Sequence, residues 1–190
     1  MRSASNGSRA GFVLAGGQSS RMGRNKALLP WKGSTLIQSV AREVFQAAGS
    51  VTLVGPPEVY GNLGFPVLPD RIPGCGPLGG LHAALSAGFA EWNLVVACDM
   101  PAITHMMLAD LLAAAEASGA EALVPASGVG WQPLCAVYHA RLLPLVESAI
   151  QAKRLKMHDF VSSIQARFWP APDPSLFRNV NTPEQLPEAQ

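Results

Sequence analysis

Short apolar runs alternate along this chain with longer segments in which apolar residues recur every three or four positions. The second pattern is clear after Ser34 and Thr35, where Leu36 and Val44 fall on one face of a predicted helix that ends at Gly49. Further helices are predicted at about 78–89, at 104–119 and from about 141. Strands are predicted at 12–15, 51–54, 65–68, 94–98, 122–124 and 134–138. Strands that alternate with helices predict an α/β fold with a mostly parallel sheet between two helical layers.

The composition limits the partners of this chain. Only 14% of its 190 residues are charged and the net charge is +1, so nothing in the charge favours nucleic acid or a membrane. Three cysteines without CxxC spacing predict neither a disulfide framework nor a zinc knuckle. No apolar run approaches the ~20 residues of a membrane span, and residues 1–10 lack the apolar core of a secretory signal. We therefore expect a cytoplasmic protein with a disordered tail at 1–10 and a single domain at 11–190.

A glycine-rich segment with three cations follows the first predicted strand. It reads LAGGQSSRMGRNK over residues 14–26. Glycines let backbone N–H groups approach an anion, and Arg21 and Lys26 add full positive charge. The segment lacks the Gly-Lys dipeptide of a Walker loop, and an ordinary Gly-Ser turn with solvated cations is the alternative interpretation. We interpret it as a nucleoside triphosphate site.

A carboxylate follows the buried strand predicted at 94–98. Asp99 stands where open α/β sheets bind ligands, beyond the carboxyl end of a parallel strand. Mg²⁺ prefers one or two carboxylates together with phosphate oxygens and water, so Asp99 beside a triphosphate predicts a metal ligand. The alternative is an aspartate that forms a turn, which is common after strands.

A second glycine-rich loop extends from Asp70 to Gly80. Gly74, Gly76 and Gly79 satisfy GxGxxG, the spacing of dinucleotide sites, but the first glycine does not directly follow a predicted strand. We therefore interpret the loop as a surface over a base or a ribose. Asp70 could accept hydrogen bonds from a guanine edge or a ribose hydroxyl, or it could pair with a neighbour or cap a turn.

Near the end of the chain, two asparagines precede Thr182-Pro183, which predicts a final helix. Asn181 is interpreted first as the cap of that helix. The alternative is that Asn179 and Asn181 place amide oxygens on a metal or on a bound ligand.

Taken together, five motifs resemble those of the bacterial molybdenum cofactor guanylyltransferases. They are LAGGxSxRMGxxK at 14–26, PGxGPLGGL at 73–81, ACDMP at 97–101, PLCAVY at 133–138 and NVNTPE at 179–184. They occur in the order seen in that family, and the resemblance extends from about residue 11 to residue 186. The first motif is shared with other nucleotidyltransferases, whereas the second and last are more specific.

The resemblance implies a single Rossmann-like three-layer α/β/α domain of the nucleotide-diphospho-sugar transferase type. It implies transfer of GMP from Mg²⁺–GTP to molybdopterin, with release of pyrophosphate. It leaves open transient contact with other cofactor-biosynthesis proteins or with apo-molybdoenzymes. The residues expected to be catalytic are Arg21, Lys26 and Asp99, and Asp99 is the expected Mg²⁺ ligand. The expected nucleotide-binding residues are Leu14, Ala15, Gly16, Gly17, Lys26, Asp70, Gly79 and Asp99.

The acceptor is expected on the last third of the chain, because the motifs assigned to the nucleotide occupy residues 11–125. Residues 126–190 contain a local basic segment in a chain of almost no net charge, and this segment suits an anionic acceptor. A solvated helix face is the alternative interpretation of these cations. The expected acceptor-binding residues are Gln132, Arg154, Lys156, Asn179 and Asn181.

Two positions depart from the resembled family. Asn25 stands where the family usually has Asp, which removes a charge partner for Arg21 or Lys26, and Val54 stands where some members have Asn. CTP in place of GTP and another phosphorylated acceptor remain alternatives. A nicotinamide-dependent dehydrogenase, suggested only by GxGxxG, and a non-catalytic nucleotide-binding module are the alternatives from other classes.

Overall fold

One sheet organises the part of the chain that the computed structural model describes, residues 7–15, 25–127, 130–171 and 173–180. The strands are β1 (Gly7–Leu14), β2 (Pro30–Trp31), β3 (Ser34–Thr35), β4 (Thr52–Val54), β5 (Val67–Leu68), β6 (Ala90–Ala97), β7 (Ala122–Ser127), β8 (Gly130–Trp131), β9 (Cys135–His139) and β10 (Ala166–Pro170). The sheet has the order β10-β7-β9-β6-β1-β4-β5, with β8 paired to β7, and β2 with β3 forms a separate pair.

The sheet is mostly parallel, as predicted. Strand β1 pairs in parallel with β4 and β6, so that the three strands end at the same edge. Strand β9 is the exception within the main order, because it runs antiparallel to both of its neighbours, β6 and β7. The apolar run at 134–138 predicted the strand, but alternation of apolar residues carries no information about strand direction.

Helices cover both faces of the sheet. They are α1 (Leu36–Ala48), α2 (Pro57–Tyr60), α3 (Gly76–Ser86), α4 (His105–Ser118), α5 (Leu143–Gln151) and α6 (Met157–Ser162). Thr35 and Gln38 form a capping box at the start of α1, and Gly49 ends the helix in the left-handed conformation. Helices α1 and α4 share one core with alternate sheet residues such as Val13, and α3, α5 and α6 share the other with residues such as Phe12. These two cores confirm the predicted three-layer architecture.

Strand β1 corrects the predicted boundary of the tail. Residues 7–10, expected in a disordered tail at 1–10, belong to β1, and Arg9 and Ala10 lie opposite Trp92 and Asn93 of β6. The Arg9 guanidinium donates two hydrogen bonds of 2.6–2.7 Å to the Glu116 carboxylate on α4. This pair lowers the pKa of Glu116 below its ordinary value. The polar residues that suggested a tail therefore extend the strand through a long-range contact that local sequence does not show.

Strand β10 was not predicted either. It pairs in parallel with β7 at the edge of the sheet, and most of its residues are exposed or half-buried, including Phe168. An exposed edge strand lacks the continuous apolar run that identifies a buried one. In the described part of the chain, no helix is long and apolar enough to cross a membrane.

Gly11 allows α1 to pack closely on β1, and we expect Gly11→Ala to destabilise the fold. A Cβ at this position would overlap Val44 Cγ1 and would lie 2.6 Å from the Ser50 carbonyl oxygen. Overpacking of this kind costs about 1–3 kcal/mol of unfolding free energy. Urea denaturation measures the loss, and Ser8→Ala, at an exposed position of the same strand, is the control. An unchanged denaturation midpoint for Gly11→Ala would contradict the close packing.

Candidate active site

The carboxyl ends of three parallel strands are joined by backbone hydrogen bonds. Ala15, which follows β1, donates its N–H to the Val54 carbonyl at the end of β4 over 2.9 Å. Cys98, which follows β6, donates its N–H to the Leu14 carbonyl over 3.1 Å. Chain segments that leave β1 and β6 therefore start side by side, at the edge where α/β sheets bind ligands.

An ion pair lies at this edge between two of the predicted site residues. Lys26 Nζ donates to Asp99 Oδ2 over 2.8 Å, and the two side chains are only 16% and 21% exposed. Lys26 begins a short 3-10 helix whose N-cap is Asn25. The sequence placed both residues in one site but did not predict that they pair, because their motifs are far apart in the chain.

The second carboxylate oxygen of Asp99 is a candidate metal ligand. Within the described residues, Asp99 Oδ1 is buried and has no hydrogen-bond partner. A buried carboxylate oxygen without a donor is costly unless a cation or a donor meets it there. No group of three or more His, Cys, Asp or Glu side chains with metal-binding geometry occurs in the described ranges. The residues therefore fit a cation such as Mg²⁺, which takes one carboxylate and completes its shell with phosphate oxygens and water.

A cavity of about 220 Å³ surrounds the ion pair. It brings together the predicted residues Leu14, Ala15, Lys26 and Asp99. The remaining lining residues are Asn25, Ala27, Pro77, Ala97, Cys98 and Leu134. The lining comes from the ends of β1 and β6 and the residues that follow them, from the start of α3 and from the loop before β9, so these motifs meet in space.

A larger cavity of about 420 Å³ lies beside the first and shares Leu14 and Pro77 with it. Asp70 lines it, and Gly79 explains the position of that carboxylate. A Cβ on Gly79 would lie 3.0 Å and 3.2 Å from the two carboxylate oxygens of Asp70. Gly79 thus leaves the space that Asp70 occupies, and Val54 lies in the same wall of the cavity.

Asp70 also caps a turn, which was one of the alternatives considered for it from the sequence. Its Oδ1 accepts a hydrogen bond of 3.0 Å from the Ile72 N–H, which closes a turn, and Arg71 is exposed. Gly74 and Gly76 have positive φ angles of 84° and 56°, so glycine is needed at both positions. The loop turns into α3 at Gly76, and its first glycine, Gly74, does not directly follow a strand, because β5 ends at Leu68.

The asparagine motif returns to the ion pair. Val180 donates its N–H to the Asp99 carbonyl oxygen over 2.9 Å, and Val180 is buried while Asn179 is exposed. This hydrogen bond places the segment 178–180 beside the residue predicted to bind metal. The predicted site residues that lie outside the described part of the chain are Gly16, Gly17, Arg21 and Asn181.

The other expected acceptor residues line neither cavity. Arg154 and Lys156 are exposed between α5 and α6, and they line neither cavity. Gln132 is half-buried, and its carbonyl accepts from the Cys135 N–H over 3.0 Å, which shapes the turn before β9. That turn contains Leu134, which lines the smaller cavity, so Gln132 is the nearer of these residues to the ion pair along the chain.

Sequence reasoning missed an aromatic cluster on the same side as the basic segment. The ring of Trp131 on β8 lies 4.5 Å from the ring of Phe168 on β10 and 6.1 Å from the ring of His158 on α6. Lys156 is the N-cap residue of α6, which carries His158. No periodicity joins these three elements, so only the fold reveals the cluster.

Sequence reasoning also missed Tyr60. Its ring is buried, and its hydroxyl donates to the Ala15 carbonyl oxygen over 3.0 Å. The Asn25 side-chain amide donates to the same hydroxyl over 2.9 Å. Burial raises the pKa of Tyr60 above its ordinary value, so this hydroxyl keeps its proton at neutral pH.

The site supplies charge and position and lacks an activated nucleophile among its described residues. Burial, together with the neighbouring Asp99, raises the pKa of the Cys98 thiol to about 12. Cys98 is therefore protonated near neutral pH and is a poor nucleophile. The arrangement suits a reaction in which the attacking group belongs to a substrate.

Comparison with known proteins identifies the family. A family model described as the MobA-like NTP transferase domain matches residues 11–166. The chain belongs to this family. A relative from Pelotomaculum thermopropionicum, named a probable molybdenum cofactor guanylyltransferase, is 38% identical over 95% of this chain and 91% of its own length. As a member of this family, the protein is a nucleotidyltransferase.

Solved structures agree with the fold. Molybdopterin-guanine dinucleotide biosynthesis protein A from Archaeoglobus fulgidus matches this transferase with a TM-score of 0.79 and 25% identity, over 92% of this chain and 93% of that one. Rv0371c from Mycobacterium tuberculosis, solved in complex with manganese, matches with a TM-score of 0.64 and 18% identity, over 87% and 89% of the two chains. The fold is thus that of the nucleotide-diphospho-sugar transferases, as expected.

We expect Lys26→Ala to lose nucleotidyl transfer while the fold is retained. The substitution removes the cation beside Asp99, and loss of one such charge in an active site costs roughly 100-fold in turnover. Pyrophosphate release measures activity, and circular dichroism during heating measures folding. Arg42→Ala, at an exposed cation on α1, is the control. Wild-type turnover by Lys26→Ala would contradict the role of the ion pair.

Proposed function

We propose that this transferase moves GMP from GTP to the terminal phosphate of molybdopterin and releases pyrophosphate. The observation that carries the proposal is the Lys26–Asp99 pair, in which one carboxylate oxygen is buried and lacks a donor among the described residues. A cation and a metal ligand side by side suit a triphosphate, whose oxygens need both kinds of partner. The name of the Pelotomaculum relative supports guanylyl transfer in particular.

Asp99 Oδ1 would hold a divalent cation, which we propose to be Mg²⁺. When bound, Mg²⁺ neutralises charge on phosphate oxygens as the leaving group departs. Lys26 binds the other carboxylate oxygen of Asp99, Oδ2. Its ammonium group holds Asp99 in place and adds positive charge to the cavity, which also stabilises the phosphates. We propose that Arg21 balances further phosphate charge, on the basis of its position in the glycine-rich motif.

The proposed reaction needs positioning more than proton transfer. A phosphate oxygen of the acceptor attacks the α-phosphorus of GTP in line, and the bond from that phosphorus to the oxygen bridging to the β-phosphate breaks. The attacking phosphate is already anionic at neutral pH, so no general base is required. Protonated Cys98 does not compete as a nucleophile. The residues of the smaller cavity therefore serve by orientation and electrostatic stabilisation.

The nucleoside is assigned to the larger cavity, which is lined by Asp70 and shares Leu14 and Pro77 with the smaller cavity around the ion pair. A carboxylate accepts hydrogen bonds from the N1–H and the 2-amino group of guanine, or from ribose hydroxyls. Cytosine offers only its 4-amino group on that edge, which favours GTP over CTP. Gly79 belongs to this part of the site because it leaves room for the Asp70 carboxylate.

We assign the acceptor to residues of the last third of the chain, 126–190. Gln132 lies two residues before Leu134, which lines the smaller cavity, and Asn179 and Asn181 flank Val180, whose N–H is bonded to the Asp99 carbonyl. Arg154 and Lys156 add exposed positive charge in the segment that leads into α6, which carries His158 of the aromatic cluster with Trp131 and Phe168. Cations and aromatic rings suit an acceptor with a phosphate group and a flat pterin ring.

The decisive experiment supplies purified protein with molybdopterin, Mg²⁺ and GTP, and measures pyrophosphate and the guanine dinucleotide product. We expect turnover with GTP to exceed turnover with CTP. Asp99→Ala should reduce turnover by roughly 100-fold or more, because alanine cannot hold the cation beside the phosphates. The control is Asp110→Ala, at an exposed carboxylate on α4. Absence of product from the wild-type protein would refute the function, and full activity of Asp99→Ala would refute the metal assignment.

We expect the double variant Arg154→Ala/Lys156→Ala to weaken use of molybdopterin alone. Loss of two charged partners of the acceptor should raise the KM for molybdopterin roughly 10-fold, while the KM for GTP stays the same. Because both side chains are exposed, added salt should reduce the difference between variant and wild type. Steady-state kinetics at two salt concentrations measure this, with Arg42→Ala as the control. An equal change in both KM values, or in neither, excludes the basic segment from the acceptor site.

A further inference from the structure

Tyr60 joins two points of the chain that flank the ion pair. Its hydroxyl donates to the Ala15 carbonyl oxygen over 3.0 Å and accepts from Asn25 Nδ2 over 2.9 Å. Ala15 lies directly after β1, and Asn25 lies directly before Lys26. The hydroxyl therefore connects the end of a strand to the residue next to the active-site lysine.

The ring of Tyr60 is held in a fitted space. Tyr60 is 2% exposed, and a Cβ on Gly55 would lie 2.8 Å from its Cε2 atom and 3.3 Å from the Cβ of Ala15. A Cβ at position 55 would collide with the ring, so glycine there leaves the space that the Tyr60 ring occupies. The ring is thus a rigid support for its hydroxyl.

The side chain of Asn25 has a fixed orientation. Its Oδ1 accepts from the Ala27 N–H over 3.1 Å and caps the 3-10 helix that begins at Lys26. With the oxygen used in this way, the Nδ2 donor must point to the Tyr60 hydroxyl. Asn25 Nδ2 therefore donates to the Tyr60 hydroxyl, and the hydroxyl donates to the Ala15 carbonyl oxygen. The hydroxyl thus both accepts and donates a hydrogen bond.

We infer that Tyr60 is a positioning residue, which fixes the distance between Ala15 and the Asn25–Lys26 segment and so places the Lys26 ammonium group against the triphosphate. The inference rests on the proposed triphosphate site. It also assigns Asn25 a specific role, because the chain Asn25–Tyr60–Ala15 needs a donor at position 25.

Aspartate at position 25 cannot replace asparagine in this arrangement. A carboxylate accepts hydrogen bonds but donates none, and the tyrosine hydroxyl has a single proton. In Asn25→Asp, that proton can serve the new carboxylate or the Ala15 carbonyl, but not both. One buried acceptor is then left without a donor, which is unfavourable.

Tyr60→Phe tests the inference, and Tyr138→Phe is a matched control. Tyr138 is also fully buried, and its hydroxyl also donates to a backbone carbonyl, that of Pro133, over 2.7 Å. Calorimetric titrations would measure the affinities of the three proteins for GTP and for GMP, which lacks the β- and γ-phosphates. We expect Tyr60→Phe to bind GTP roughly 10-fold more weakly and to bind GMP as the wild type does. Tyr138→Phe should bind both like the wild type, whatever its loss of thermal stability.

Asn25→Asp and the double variant Asn25→Asp/Tyr60→Phe provide a second test, which does not depend on the folding of Tyr60→Phe alone. Asn25→Asp should weaken GTP binding by a similar factor. In the double variant the two losses should not multiply, because each breaks the same hydrogen-bonded chain.

Three outcomes would overturn the inference: wild-type GTP affinity in a folded Tyr60→Phe variant, an equal loss of GTP and GMP affinity, or losses that multiply in the double variant. If the wild-type protein itself does not bind GTP, the proposed function fails. If the wild-type protein binds GTP and Tyr60→Phe binds it equally well, only the positioning role of Tyr60 is refuted.

Discussion

The ion pair between Lys26 and Asp99 connects two segments that the sheet brings to one edge. Lys26 reaches that edge as the last residue of the glycine-rich motif and the first of a 3-10 helix, and Asp99 reaches it from the end of β6. The pair forms only because β1 and β6 are parallel neighbours in register, with Leu14 opposite Ala97. The smaller cavity surrounds the pair and shares Leu14 and Pro77 with the larger one, and Val180 of the segment 178–180 donates a hydrogen bond to the Asp99 carbonyl. Fold and chemistry therefore depend on the same strand pairing.

Much of the fold could be predicted because its signals are local. The capping box of Thr35 and Gln38 and the left-handed Gly49 set the ends of α1, and both depend on residues within one turn of the helix. The start of β1 could not be predicted in this way. The polar residues at 7–10 belong to the strand through pairing with β6 and through the contact of Arg9 with Glu116, which lies on a helix far along the chain.

In the candidate site too, residues in local motifs could be predicted, whereas contacts between distant residues could not. Lys26, Asp70 and Asp99 stand in motifs with recognisable chemistry, so their residue types and spacing were sufficient to propose them. The role of Asn25 could not be predicted from the sequence. Because asparagine is uncharged, the sequence suggested only that a neighbouring cation lacks a charge partner there. The structure shows instead that its amide has a partner of its own, Tyr60, which no motif contains. Such pairings depend on the three-dimensional arrangement of isolated polar groups.

The reversed direction of β9 has a consequence for the size of what can be bound. In a wholly parallel sheet, the loop that follows each strand would lie at the edge that carries the ion pair. Strand β9 sends the loop that precedes it, which brings Leu134 to the cavity and puts one extra strand between β6 and β7. Neighbouring strands lie about 4.8 Å apart, so the axes of β6 and β7 are separated by roughly 10 Å. The reversed strand therefore separates β6 from β7, and a molecule that touches both Asp99 and the ring of Phe168, on β10 beyond β7, must be long enough to span that distance.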